Sequence, residues 1–161
     1  MTTEIKTWQL VDGRLEDVQS TLKDQGRTEP LDLEDWIITN PEIIGHDLTV
    51  LGRQVQTRSG PTDILAIDSS GNLVIVELKR DKLPREALAQ GIDYAADVAD
   101  WGIEKLSEIC TKYSGKSLED TLADAYPEEQ PENININDNQ KILLVGFSIE
   151  SSLERMITWL S

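Results

Sequence analysis

The sequence predicts an α/β sandwich, a mixed β-sheet between helices, in the order helix, three strands, helix, strand, helix. Three observations carry that expectation. The neighbouring runs Ile64–Ile67 and Leu73–Val76 are apolar at every position, the pattern of strands covered on both faces. Only Ser69-Ser70-Gly71 and the flanking polar residues separate them, which makes a hairpin. A helical segment beginning at Pro84 then leads to a further apolar run, Ile142–Val145, and such a crossover lets the last strand pair in parallel.

Taken in order, Ile5–Leu10 reads as a short strand with Asp12-Gly13 as its turn, while Leu15–Leu22 fits a strand or a helix. A helix is expected from Pro30 to about Thr39, because proline suits a first turn and the helix stops before Asn40-Pro41. Leu48–Thr57 alternates as a strand, and Thr62–Asp68 with Asn72–Lys79 forms the central hairpin. The long helix runs from Pro84 to about Asp100, with Leu88, Ile92, Ala95, Ala96 and Ala99 as its apolar face. Ile103–Tyr113 and Ser117–Ala125 are further helical pieces, and polar Tyr126–Gln140 reads as a surface loop. Lys141–Phe147 is expected as a buried strand, and Glu150–Leu160 as a helix presenting Leu153, Met156, Ile157 and Leu160. Trp36 and Trp159 fall at helix core positions.

At 161 residues the chain suits one domain, with residues 1–28 as an N-terminal extension and a core over 29–161. It ends inside the amphipathic helix without a capping signal, which suggests truncation at the C-terminus. One cysteine, Cys110, excludes an internal disulfide, and one histidine makes a structural zinc site a poor fit. No signal-peptide pattern opens the chain, and no apolar run approaches the roughly 20 residues of a membrane span, so a soluble cytoplasmic protein without membrane contact is expected. The net charge of −15 is unevenly spread. Between Arg53 and Arg85 six basic residues face four acidic ones, leaving +2 there and −17 elsewhere, the pattern of one cationic face on an acidic body. An acidic or salt-adapted host explains the bulk charge equally well.

Asp63, Glu77 and Lys79 are charged residues at the ends of otherwise apolar strands, where burial without partners is costly. Glu77 and Lys79, two apart, share a strand face. A three-residue loop pairs Asp68 with Asn72, and counting back sets Asp63 opposite Glu77 on that same face. A one-residue slip would send one carboxylate to the other side. Two readings fit this group: a seat for a hard divalent cation such as Mg2+, or a buried salt bridge of Lys79 with Asp63 or Glu77 that pins the hairpin.

Gly60-Pro61-Thr62-Asp63 followed by Glu77-Leu78-Lys79 resembles the PD-(D/E)XK nuclease superfamily, whose restriction-endonuclease-like fold is an αβββαβ core. Gln90-Gly91-Ile92-Asp93-Tyr94 is similar to the Gln-x-x-x-Tyr motif of its RecB-like branch. Asn40-Pro41-Glu42-Ile43-Ile44 with Gly52-Arg53-Gln54 resembles the NucS-type nuclease domain. The resemblance spans about Glu29 to Tyr94. It implies DNA cleavage with Mg2+ or Mn2+, Asp63 and Glu77 as metal ligands, and Lys79 as the catalytic lysine.

The same resemblance implies a glutamate on the first helix. Glu34 lies on the Leu31–Ile38 stripe and is preferred, with Glu29 at the helix start as the competitor; ordinary helix surface is the plain reading of either. Gln90, a helical turn from Tyr94, would face the site beside it. Arg53, Arg58, Lys82 and Arg85, with Tyr94, are the candidates for nucleic-acid contact. Three functions follow: a DNA nuclease, a nuclease-fold nucleic-acid-binding module without turnover, and a protein-interaction domain. The partner expected is DNA, its grip completed by a second copy or by a segment beyond the C-terminus.

Overall fold

A computed structural model describes residues 8–11, 14–17, 33–45, 47–128 and 134–160. A separate antiparallel ribbon pairs β1 (Trp8–Val11) with β2 (Arg14–Asp17), so the ambiguous stretch begins as a strand. The core sheet has four strands in the order β3 (Leu48–Gln56), β4 (Pro61–Asp68), β5 (Leu73–Leu83), β6 (Gln140–Ile149). The first three are antiparallel and β6 joins β5 in parallel, giving the expected mixed sheet.

Helix α1 (Leu33–Thr39) covers one face of the sheet through Leu33 and Ile37, which pack with Ile64, Ala66, Val74 and Val76. The other face is covered by α2 (Glu86–Val98), α3 (Ile103–Ser114) and α4 (Leu118–Ala125). There Tyr94, Val98, Leu106, Cys110, Leu118 and Leu122 meet Leu65, Ile67, Leu73 and Ile75. The hairpin is thus buried on both sides, as its unbroken apolarity requires. The last helix, α5 (Ser151–Leu160), sets Leu153 against Leu83, Ala87 and Leu88.

The hairpin register matches the count from sequence. Ile64 opposes Val76 and Ile67 opposes Leu73, while the Asp68 N–H donates to Asn72 O at 3.1 Å. Asp68 closes the loop by accepting from the N–H groups of Ser70 and Asn72, each at 2.9 Å. Gly71 takes φ +84°, and a Cβ there would lie 2.3 Å from Asn135 O.

Four expectations change. The buried face of α2 is Ala87, Leu88, Gly91, Tyr94 and Val98, while Ile92 is 48% exposed. Its rotation follows from Gly91, whose missing Cβ lets the helix close on Ile142. Strand β6 is an edge strand, so among its apolar residues only Val145 is fully buried. Trp159 is 83% exposed rather than in the core. The segment after α4 is anchored: the Tyr126 hydroxyl bonds to Asp47 O and Ile67 O, and buried Asn137 donates to Val98 O at 2.8 Å and Trp101 O at 3.0 Å. No helix among the described residues is long and apolar enough to cross a membrane.

Candidate active site

The candidate residues meet where β4 and β5 leave the buried core. Continuing the register past Ile64–Val76 brings Asp63 opposite Glu77. Here the strands separate, and the Asp63 carboxylate fills the gap by accepting the Leu78 N–H on Oδ2 at 2.7 Å. Glu77 is 2% exposed. Its Oε1 takes a 2.6 Å bond from Lys79 Nζ, and its buried Oε2 has no hydrogen-bond partner among the described residues. Burial drives the Glu77 pKa up; Lys79 opposes this, the charge of Asp63 adds to it, and the net shift is upward. A buried carboxylate oxygen with no donor, next to a second carboxylate, is costly unless a cation arrives.

Lys79 is held from α2. Its Nζ also donates to Gln90 Oε1 at 3.2 Å, and Gln90 Nε2 donates to the Tyr94 hydroxyl at 2.8 Å. The helical spacing of Gln90 and Tyr94 aims both at β5, with Tyr94 buried and Gln90 half-buried. Gly60, at φ +130°, passes close to the Tyr94 ring; a Cβ there would lie 3.4 Å from its hydroxyl.

On the far side of Asp63, Gln54 Nε2 donates to Asp63 Oδ1 at 3.1 Å and to Glu34 Oε2 at 3.3 Å. Glu34 does turn toward the site from α1, although its own helix is buried through Leu33 and Ile37. Glu29 lies outside the described residues. Arg53 joins the same group, with Nε 2.7 Å from Glu34 and Nη2 2.7 Å from Asp35. Those hydrogen bonds hold the guanidinium firmly protonated, its pKa raised chiefly by the bond to Glu34.

The structure therefore brings together Asp63, Glu77, Lys79, Gln90, Tyr94 and, through Gln54, Glu34 and Arg53. The other basic candidates go elsewhere. Arg58 sits at the β3–β4 turn, 3.9 Å from Asp100; Arg85 lies beside Glu86; Lys82 acts on Glu150. Gln54 is the participant that sequence reasoning did not single out by role. Its signal was its place in Gly52-Arg53-Gln54, but which of the two polar side chains meets Asp63 depends on strand register.

Among the described residues no group of three or more His, Cys, Asp or Glu side chains is arranged to hold a metal. The donor set is two carboxylates. That suits Mg2+, which typically takes one or two carboxylates and fills its shell with water and substrate phosphate. The orphaned Glu77 Oε2 is the feature that fits.

Residues 29–104 match the family model described as the Endonuclease NucS C-terminal domain. Endonuclease NucS of Pyrococcus horikoshii is 31% identical over 110 residues, taking in 65% of this chain and 42% of that protein. Endonuclease NucS of Sulfolobus acidocaldarius is 38% identical over 56 residues, 35% of this chain and 22% of that protein. A repair endonuclease structure from Pyrococcus abyssi aligns with TM-score 0.51 at 21% identity, covering 85% of this chain and 45% of that one. An EndoMS-dsDNA2 complex aligns with TM-score 0.52 at 22% identity, covering 90% and 46%. The chain spans less than half the length of these relatives. Residues 29–104 are thus similar in sequence to the NucS C-terminal domain, and the αβββαβ core is a fold shared with these solved nuclease structures.

Proposed function

We propose that this chain is the catalytic part of a DNA nuclease that hydrolyses phosphodiester bonds with Mg2+ or Mn2+, with Asp63 and Glu77 as ligands and Lys79 as the catalytic lysine. The observation that carries the reading is Glu77: a 2% exposed carboxylate, opposite Asp63 and bonded to Lys79, whose Oε2 has no partner among the described residues. A structural ion pair needs only one of its oxygens. When bound, the cation supplies Lewis-acid polarisation of the phosphate and lowers the pKa of a water.

The chain's own residues do the rest. Asp63 and Glu77 present oxygen donors from adjacent strands. Lys79, 31% exposed, keeps its ammonium at the water-facing side, where it donates to a phosphate oxygen or orients the attacking water. Gln90 and Tyr94 fix the ammonium's position. The likeness to Endonuclease NucS and to an EndoMS-dsDNA2 complex supports DNA as the substrate.

A panel of labelled single-stranded, duplex, branched and mismatched DNAs, incubated with and without Mg2+ or Mn2+, tests this. Metal-dependent cleavage that Asp63→Ala abolishes is expected; no cleavage of any substrate, and no cation bound in calorimetry, refutes it. One observation favours a second reading, a nuclease-fold binding or interaction module. Arg53 is committed to Glu34 and Asp35 and the remaining basic residues are dispersed, so the grip on DNA would come from a second copy or a longer chain. Cation binding without cleavage, with DNA affinity intact, supports that reading.

A further inference from the structure

We propose that Gln54 is a positioning residue that holds the Asp63 carboxylate in the orientation needed to share a divalent cation with Glu77; this rests on the cation reading of the preceding section. A β-bulge interrupts the β3–β4 pairing. Up to Val50–Ala66 the β3–β4 pairing follows one register, and from Gly52–Leu65 onward it is shifted by one residue, leaving Leu51 as the extra residue. The pairs Arg53–Ile64 and Val55–Thr62 then set Gln54 opposite Asp63. Without the extra residue, the earlier register would set Arg53 opposite Asp63. The bulge therefore exchanges a guanidinium for a neutral amide beside the carboxylate. A fixed positive charge there would compete with a metal ion for Asp63, and the exchange sends Arg53 to Glu34 and Asp35 instead.

Two further observations mark Gln54. Its φ is +46°, which a non-glycine residue rarely adopts and which the surrounding structure must enforce. Its amide bridges Asp63 Oδ1 and Glu34 Oε2. With Leu78 N–H on Oδ2, Asp63 has one protein donor on each oxygen among the described residues. Each oxygen keeps a free lone pair, and the plane of the carboxylate is fixed. Restraint of this kind on a ligand typically changes metal affinity roughly 10- to 100-fold.

The test uses Gln54→Gly and Gln54→Ala in the full chain, with thermal melts of the metal-free protein and Mn2+ titration by calorimetry. Glycine relieves the positive φ and removes the whole side chain, amide included, whereas alanine removes the amide and keeps the strain. The expected result is a metal-free melting temperature unchanged or raised in Gln54→Gly, with Mn2+ affinity weakened roughly tenfold or more. A residue that serves only the bend predicts the opposite, unchanged affinity in the glycine variant, and that result overturns the inference while leaving the cation reading standing. Affinity lost in Gln54→Ala but retained in Gln54→Gly overturns it too, since strain rather than the amide would be responsible. Wild-type protein that binds no Mn2+ overturns the cation reading and this inference together.

Discussion

Replacing Lys79 by methionine removes the one hydrogen-bond partner that Glu77 Oε1 has among the described residues, while keeping much of the side chain's volume. Since Oε2 has no partner among the described residues either, the variant's buried carboxylate loses the compensation that Lys79 gave it. Breaking a buried ion pair by removing one member costs roughly 3–5 kcal/mol. Lys79 is 31% exposed, so water screens part of the attraction and the loss falls nearer about 2–3 kcal/mol. For a domain of this size each kcal/mol moves the melting temperature by roughly 2–4 °C, giving a fall of about 4–12 °C near neutral pH. The sign of the pH dependence is also determined. Burial already raises the Glu77 pKa against the opposing influence of Lys79. The folded state then holds the proton more tightly than the unfolded chain, so stability falls as pH rises from the ordinary glutamate range through the raised folded pKa. Without Lys79 that pKa climbs further and the window widens. The deficit should be small near a pH of about 4 and full at the alkaline end of the window. Mg2+ should reduce it, because a cation shared with Asp63 neutralises the same carboxylate. Calorimetric melts across this pH range, with and without Mg2+, measure both effects. A deficit independent of pH would refute Glu77 as the titrating group, and one untouched by Mg2+ would refute the cation seat.

Other outcomes are equally specific. Asp63→Ala should abolish cleavage and the metal-dependent rise in melting temperature, whereas Lys79→Ala should abolish cleavage but leave Mn2+ binding in calorimetry intact or stronger, because a nearby positive charge opposes cation binding. If Arg58 and Arg85 contact phosphates, changing both to alanine should weaken DNA binding and flatten the log–log salt dependence by about two; an unchanged slope places the grip elsewhere. Gly91→Ala should destabilise by roughly 1–3 kcal/mol in denaturant melts, less the helix-propensity gain of about 1 kcal/mol, because its Cβ would fall 2.6 Å from Ile142 Cγ2. Asn137→Ala should cost roughly 1–3 kcal/mol by stranding the carbonyls of Val98 and Trp101, and a neutral result would mean that water replaces the amide.

The sequence alone determined the central hairpin, its register and the meeting of Asp63 with Glu77. A three-residue loop ending in glycine counts the partners, and the charged residues that bound the apolar runs oppose a slip. It also placed Gln90 and Tyr94 on one helical face, since that follows from spacing. Only the tertiary structure decided the rest. The rotation of α2, which exposes Ile92, was settled by contact between Gly91 and Ile142, residues 51 positions apart. The exposure of Trp159 and the half-burial of β6 follow from strand order, which places β6 at the edge. The neighbour of Asp63 on β3 was settled by a single extra residue, Leu51. Side-chain periodicity reports which face a residue belongs to within its own element. It carries no information on how far a neighbouring strand has been shifted by a bulge, and at this site that shift selects an amide over a guanidinium.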